Sequence, residues 1–320
     1  MSSMENVVVC EVVLGGEWRR RVRIGGVCAP PPFHIYPKYR LNPPAVAMDV
    51  FDPPRLPRPV KMFYGDVVLD VAEWAKVCVK KYGADLVALH LIGTHPQLGG
   101  KSPGEAAKTV EEVLQAVDAP LIIGGSGDKS RDPEVLAAAA EVADGEGCLL
   151  NSASLEMNYE LVVEAAKKHG HAVVSWVPLS LPLQRKLNRE LLRLGLSIDR
   201  IVMDPTTAPL GYGLHYSLDI VERIRREAFN GDAALRAPIL SGSSNAWGAR
   251  EARLDKPGWG PLELRGPLWE AVNALAMFMA GADVLLMMHP KAIGLFRRTV
   301  KQLMSSGKTE VDASDISGVG

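Results

Sequence analysis

Cysteine is scarce in this chain, four in 320 residues, and no two of Cys10, Cys28, Cys78 and Cys148 form a C-x-x-C pair. A four-thiolate iron–sulfur ligand set needs closely spaced cysteines. Neither a cluster, nor a zinc site, nor a disulfide framework is therefore expected within this chain. Cys78 shares a helical face with Val71, Trp74, Ala75, Val79 and Tyr82 and reads as core. Net charge is nearly absent as well: 36 Lys+Arg against 37 Asp+Glu. Such a balance offers no field to draw nucleic acid or a lipid surface. The longest basic run, Arg19-Arg20-Arg21, falls in an expected hairpin and reads as a solvated face. Apolar runs long enough to span a bilayer are missing, and residues 1–6 do not read as a signal peptide, so a cytoplasmic location is expected.

Apolar residues make up 47% of the chain, ample for a full core. The first segment reads as a β-hairpin, 6–14 and 17–24 around Gly15-Gly16, followed by a proline-rich extended stretch over 29–44. A strand-then-helix pattern then repeats. Strands are expected at 45–52, 86–93, 120–127, 148–154, 172–178, 201–206, 238–242 and 284–289. Helices are expected at 69–82, 103–117, 133–143, 159–169, 182–194, 218–229, 268–280 and 291–304. Ser102-Pro103-Gly104-Glu105 is a capping box with proline at the first helical position, and Asp132-Pro133 repeats that logic. Gly83, Gly170, Gly195 and Gly281 stand at helix ends.

The strands are almost continuously apolar, as in a sheet covered by helices. Eight such units predict an α/β fold, a (β/α)8 TIM barrel over 45–304, with 1–44 packed on it and 305–320 as a loose tail. A doubly wound sheet is the runner-up, but the first strand leads into Phe51-Asp52-Pro53-Pro54-Arg55, with no glycine fingerprint.

Three strand-to-helix loops are long, 53–68, 205–217 and 243–267, and in barrels that rim hosts the chemistry. Several reactions find no residues there. No strand ends in lysine, against a Schiff-base aldolase. There is no His-x-His on the first strand and no His-Glu-x-x-His helix, against metal hydrolysis. The polar residues at strand ends are Asp49 and Asp52, His90 with Thr94 and His95, Gly125 and Ser126, Asn151, Asp204, Ser243 and His289. His90 reads as a core or rim histidine, because Ala88 stands where a cobalt-ligating Asp-x-His-x-x-Gly loop has its aspartate. His95, before Pro96, is the better candidate for ligand contact. The most specific stretch runs from Asp204-Pro205 to Gly211-Tyr212-Gly213, whose glycines let backbone lie flat beside an exposed tyrosine.

With Ala47-Met48-Asp49-Val50-Phe51-Asp52, His90-Leu91-Ile92-Gly93-Thr94, Ile123-Gly124-Gly125-Ser126-Gly127 and Ser244-Asn245-Ala246-Trp247, that stretch resembles the small (delta) subunit of the corrinoid iron–sulfur protein of the acetyl-CoA pathway. The likeness covers nearly the whole chain and departs from the family pattern at Ala208 and His215. It implies a TIM barrel paired with a large subunit that carries the [4Fe–4S] cluster and most of a cobamide (a B12-type corrinoid). Further implied partners are a methyltetrahydrofolate-dependent methyltransferase and acetyl-CoA synthase/CO dehydrogenase. On that resemblance the chain is a non-catalytic subunit of a methyl-transfer assembly, with no catalytic or metal-ligating residue of its own. The implied cobamide contacts are Asp49, Thr94, His95, Gly125, Ser126, Asn151, Asp204, Gly211, Tyr212, Gly213 and Ser243. The long loops are expected to meet the partners through Trp247 and Trp259. Two other readings stand beside it. One is a pterin-dependent methyltransferase acting alone, gripping its substrate with Asp49, Asn151 and Asp204. The other is a phosphate-binding barrel enzyme with an anion at 241–244.

Overall fold

The computed structural model describes residues 8–306. An antiparallel hairpin, β1 (Val9–Leu14) and β2 (Val22–Val27), precedes eight parallel strands. These are β3 (Ala45–Phe51), β4 (Leu86–His90), β5 (Leu121–Gly124), β6 (Leu149–Ala153), β7 (Ala172–Trp176), β8 (Ile201–Asp204), β9 (Leu240–Ser241) and β10 (Val284–Met287). Their sheet runs β8-β7-β6-β5-β4-β3-β10-β9. A parallel bridge between Met203 and Ile239, with Met203 N–H donating to Pro238 at 2.8 Å, joins its two edges into a barrel. The expected (β/α)8 architecture is present.

Each strand ends earlier than expected, because the chain leaves the sheet as soon as side chains reach the barrel mouth. After β4, for instance, a 3-10 turn over Ile92–Thr94 begins at once. Helices α2 (Val71–Lys80), α3 (Pro103–Ala116), α4 (Asp132–Val142), α5 (Tyr159–His169) and α6 (Leu181–Arg193) fall where expected. So does α10 (Pro290–Ser306), whereas α7 (Leu214–Phe229) and α9 (Leu262–Ala280) begin four and six residues early. Two short helices inside the long loops, α1 (Arg58–Tyr64) and α8 (Arg250–Arg253), carried too little periodicity to be read. The expected tail and the first residues of the expected hairpin lie outside the described residues. No described helix is long and apolar enough to cross a membrane.

The capping box forms: Glu105 N–H donates to Ser102 Oγ at 3.3 Å and Ser102 N–H to Glu105 at 2.8 Å. Asp132 departs from its expected capping role. It is the first residue of α4, and its carboxylate turns back to the preceding loop. Cys78 is buried as expected.

The hairpin closes the barrel from below. Val12, Leu14 and Ile24 join the inner cluster formed by Ala45, Leu86, Ile122, Leu149 and Val284. Of the basic run, Arg20 and Arg21 are exposed as expected, whereas Arg19 turns in against the barrel. Arg19 donates to the Leu114 and Val117 carbonyls at the end of α3, and Arg20 to Ala84 at 2.7 Å. The Arg19 guanidinium there meets the negative end of the α3 dipole. The triplet Gly-Ala-Asp occurs twice, at 83–85 and 281–283, and its aspartate does one job at this end. Asp85 accepts from Val46 N–H and Asp283 from Ile239 N–H, each on a neighbouring strand, and each pairs with an arginine, Arg297 or Arg225.

A candidate site at the barrel mouth

Alternation along the strands builds the site. Side chains two residues apart share a face of a strand. The inner apolar layer contains Ala47, Ala88, Ile122, Leu149, Val174 and Val202. The next inward positions are Asp49, His90, Gly124, Asn151, Trp176 and Asp204, and five of these, all but Asp49, line a cavity of about 240 Å³ at the C-terminal mouth. Gly125, Gly127, Lys129, Asp132, Ser152, Ser154 and Met157 complete its wall.

Asp49 does not reach the cavity itself. It is 1% exposed and lies beneath His90, whose Nε2 is 2.8 Å from Asp49 Oδ1. The His90 ring stacks on Phe51, centroids 4.6 Å apart, and its Nδ1 faces Gly124, where a methyl group would come within 3.2 Å. Pairing of β3 with β4 puts Asp49 opposite Ala88 and Phe51 opposite His90. The orienting carboxylate missing from position 88 is thus supplied by the next strand. The Nε2–Asp49 contact fixes the ring and leaves Nδ1 against Gly124. Sequence reasoning left His90 as a core or rim residue because strand register is not visible in sequence.

Asp204 Oδ1 accepts from Thr206 N–H at 2.8 Å. Desolvation inside the mouth pushes its carboxyl up to about 6, partly opposed by that bond. Trp176 beside it donates to Thr206 Oγ1 at 3.0 Å. Gly125 is required by close packing, since a Cβ there would lie 2.4 Å from Asp132 Cγ. Ser126 is less available than expected, its hydroxyl donating to Asp132 Oδ1 at 2.9 Å.

Other expected contacts stand apart from the mouth. Thr94 is buried, donating to Leu91 O at 2.8 Å, and His95 Nδ1 accepts from Gln97 N–H in the same loop. Ser243 is buried in a chain of hydroxyls, Thr207–Ser241–Ser243, with separations of 2.9 and 2.8 Å, which removes it from a rim anion nest. Gly211 and Gly213, at φ +84° and +108°, do turn Tyr212 outward, 48% exposed, where its hydroxyl donates to Glu251 at 3.1 Å. Tyr212 belongs to an outer shoulder with exposed Tyr216, Leu264 and Leu268, next to a groove of about 480 Å³ lined by Trp259 and Trp269. Trp247 is buried and packs on Gly266 of α9, so it is not a surface anchor.

One functional-looking group escaped sequence reading. Glu270 on α9 is fully buried, accepting from Met288 N–H and, at 3.0 Å, His289 N–H where β10 ends. Burial pushes its carboxyl up to about 8. It looked like one more charged residue on an expected helix, 268–280.

These features define a TIM barrel with a polar mouth and an apolar outer shoulder. Among solved structures it is similar to dihydropteroate synthases. That of Xanthomonas albilineans, with 4-aminobenzoic acid, matches with a TM-score of 0.55 and 16% identity over 83% of this chain and 94% of that one. That of Coxiella burnetii, in complex with pteroic acid, matches with a TM-score of 0.55 and 14% identity over 94% and 100%. At such identity the likeness concerns the fold. Family is settled by sequence: residues 11–256 match the model of the CO dehydrogenase/acetyl-CoA synthase delta subunit. The chain belongs to that family. It is 50% identical over 291 residues to the acetyl-CoA decarbonylase/synthase complex subunit delta of Methanothermobacter thermautotrophicus, covering 90% of this chain and 74% of that protein. It is 49% identical over 312 residues to the corresponding subunit of Archaeoglobus fulgidus, covering 95% and 66%.

Proposed function

We propose that the chain is the small subunit of a heterodimeric corrinoid methyl carrier and that its barrel mouth covers the cobamide held by a larger, cluster-bearing subunit. The observation that carries this is the pairing of an open, small-residue lip with an exposed apolar shoulder beside it, on a member of the delta-subunit family. The residues fit a flat macrocycle. A Cβ at Gly127 would meet nothing within 4 Å, so backbone lies free at the lip. A cavity of about 240 Å³ is below the size that encloses a drug-sized ligand, so a corrin would meet the lip residues Gly125, Gly127 and Ser152 without entering.

When bound, the cobamide supplies cobalt chemistry, acceptance and release of a methyl group. This chain's residues exclude water from that face and present little that competes for the metal. His90 is held back by Asp49 and Phe51. Tyr212, Tyr216, Leu264 and Leu268 form the surface for the larger subunit, since contiguous exposed apolar area marks a binding face. A methyltetrahydrofolate-dependent methyltransferase and acetyl-CoA synthase would then engage the assembled carrier in turn. A stand-alone pterin methyltransferase loses one of its three gripping groups, because Asp49 is buried beneath His90.

Co-expression with and without the large subunit tests the proposal through the visible spectrum of bound corrinoid. Corrinoid retained only with the partner is expected. Equal retention by this chain alone refutes it.

A further inference from the structure

Across the mouth from the lip, a second cavity of about 330 Å³ opens where α1, the segment entering α9 and the turn from β10 into α10 converge. Two of the three long rim loops thus supply its wall. Charge there is sorted by segment. Arg58 comes from α1 and Lys291 from the first turn of α10, whose N-terminal end adds partial positive charge. Asp255 and Glu263 both come from the segment entering α9. All four side chains are exposed, and among the described residues none makes a hydrogen bond or ion pair with protein.

His289 is the buried polar group of this wall, 3% exposed. Its ring packs against Phe63, centroids 4.5 Å apart, and Trp247, at 5.9 Å. Its Nδ1 accepts from Lys291 N–H at 3.1 Å, which in the neutral ring leaves the proton on Nε2. Desolvation, aided by the nearby Lys291 charge, keeps the ring neutral by pushing it down to about 4. The Nε2–H finds no acceptor among the described residues. Beside it lies apolar surface: Met62 and Phe63 are 71% and 38% exposed, and Leu262 lines the same cavity.

These groups select against most ligands. An anion alone would meet Asp255 and Glu263, and a cation alone would meet Arg58, Lys291 and a ring N–H that can only donate. A purely apolar ligand would strip water from all five polar groups and bond to none of them. Among the described residues no group of three His, Cys, Asp or Glu is placed to hold a metal ion. A zwitterion with an apolar body answers every group in the wall.

We propose that this cavity binds a free α-amino acid with a large apolar side chain. The carboxylate accepts from His289 Nε2–H and lies by Arg58 and Lys291, and the ammonium faces Asp255 and Glu263. The side chain lies on Met62, Phe63 and Leu262. A cavity of about 330 Å³ is at the small end of ligand pockets, as a single amino acid requires. The site does not rest on the carrier reading: the lip that would meet a corrin is built on β5 and β6, whereas this cavity lies beyond β10.

Isothermal titration of the full chain is run with L-phenylalanine and L-leucine. It is repeated with analogues lacking the amino group (hydrocinnamate, isocaproate) or the carboxyl group (phenethylamine, isoamylamine). At least one amino acid binds at millimolar concentration or below. Its two analogues bind at least ~10-fold more weakly, because each leaves one set of charges unanswered. His289→Phe, folded by circular dichroism, keeps a ring against Phe63 and Trp247 but loses the N–H, and weakens binding at least ~10-fold. Should that variant fail to fold, Lys291→Glu serves, since its exposed side chain makes no hydrogen bond or ion pair, and it weakens binding at least ~3-fold. The proposal is overturned if neither amino acid binds, if an analogue missing one charge binds as tightly, or if a folded variant binds like the parent. Corrinoid retention with the large subunit is a separate readout, so either idea can fail alone.

Discussion

The two ends of this barrel treat buried charge in opposite ways. At the lower end Asp283, 1% exposed, sits between Arg40 and Arg225, and its oxygens also receive Ile239 N–H. At the upper end Glu270 is equally buried, yet it meets backbone N–H groups and no cation among the described residues. The lower end is closed by the hairpin and its charges are matched. At the upper end Asp52 has a cation, Lys101, but burial raises the carboxyls of Glu270 and Asp204, which have none, and several polar groups there find no protein partner among the described residues. Closure serves stability, and the open end is left free to meet something else.

The sharpest way to break this contrast is Asp283→Ala. It leaves two buried guanidinium groups without their shared carboxylate, and removing one partner of a buried pair costs about 3–5 kcal/mol. Chemical denaturation reads the loss, and a change below about 1 kcal/mol removes the lower end's claim to being charge-locked. Next in size is Ile24→Ala. Its fully buried side chain plugs the inner cluster, so a loss of about 3 kcal/mol is expected from the same measurement.

Sequence alone carried the frame, and less of the charge pairs at the lower end or of the mouth. Alternating strand-and-helix signals, the capping box at Ser102 and the glycines at helix ends fix eight units, and a barrel follows. Asp49, Asn151 and Asp204 were legible as strand-end polar residues. Their partners were not, because pairing depends on register: only the alignment of β3 with β4 shows that Asp49 orients His90. Ser126 and Ser243 read as free hydroxyls, but each is consumed by a local partner, Asp132 or Ser241. Trp247 read as a surface anchor because its loop is long, whereas part of that loop folds as helix and packs it inside. Loop length says little about which way a side chain turns.

Glu270 allows the contrast to be sharpened by pH. Its folded value, about 8, lies above the ordinary 4.5, so its neutral form is the one the fold prefers. The stabilising contribution is whole below about 4.5 and is lost as pH rises through about 8. Glu270→Gln, neutral at every pH, is therefore expected to gain on the parent as pH is raised across that window, by up to about 1.4 kcal/mol per pH unit. Denaturation midpoints of the two proteins at pH 5 and pH 8 check the sign, and a constant difference contradicts it.

The smallest expected effect comes from two asparagines, one on a helix behind the barrel and one at a strand end in its mouth. Asn188 on α6 packs behind β7 and is fully buried. It accepts from Ser175 at 2.6 Å and Gln184 at 3.0 Å, and donates to Ala234 O at 2.7 Å. Its replacement by alanine strands those partners and should cost about 1–3 kcal/mol. Asn151, at the end of β6, has no such bonds among the described residues, so Asn151→Ala should leave stability within about 0.5 kcal/mol. A group held for folding and a group held for a ligand are separated by that difference. If the Asn151 variant melts as early as the Asn188 variant, its amide is structural and the upper end is not set apart from the lower in the way its unpartnered groups imply.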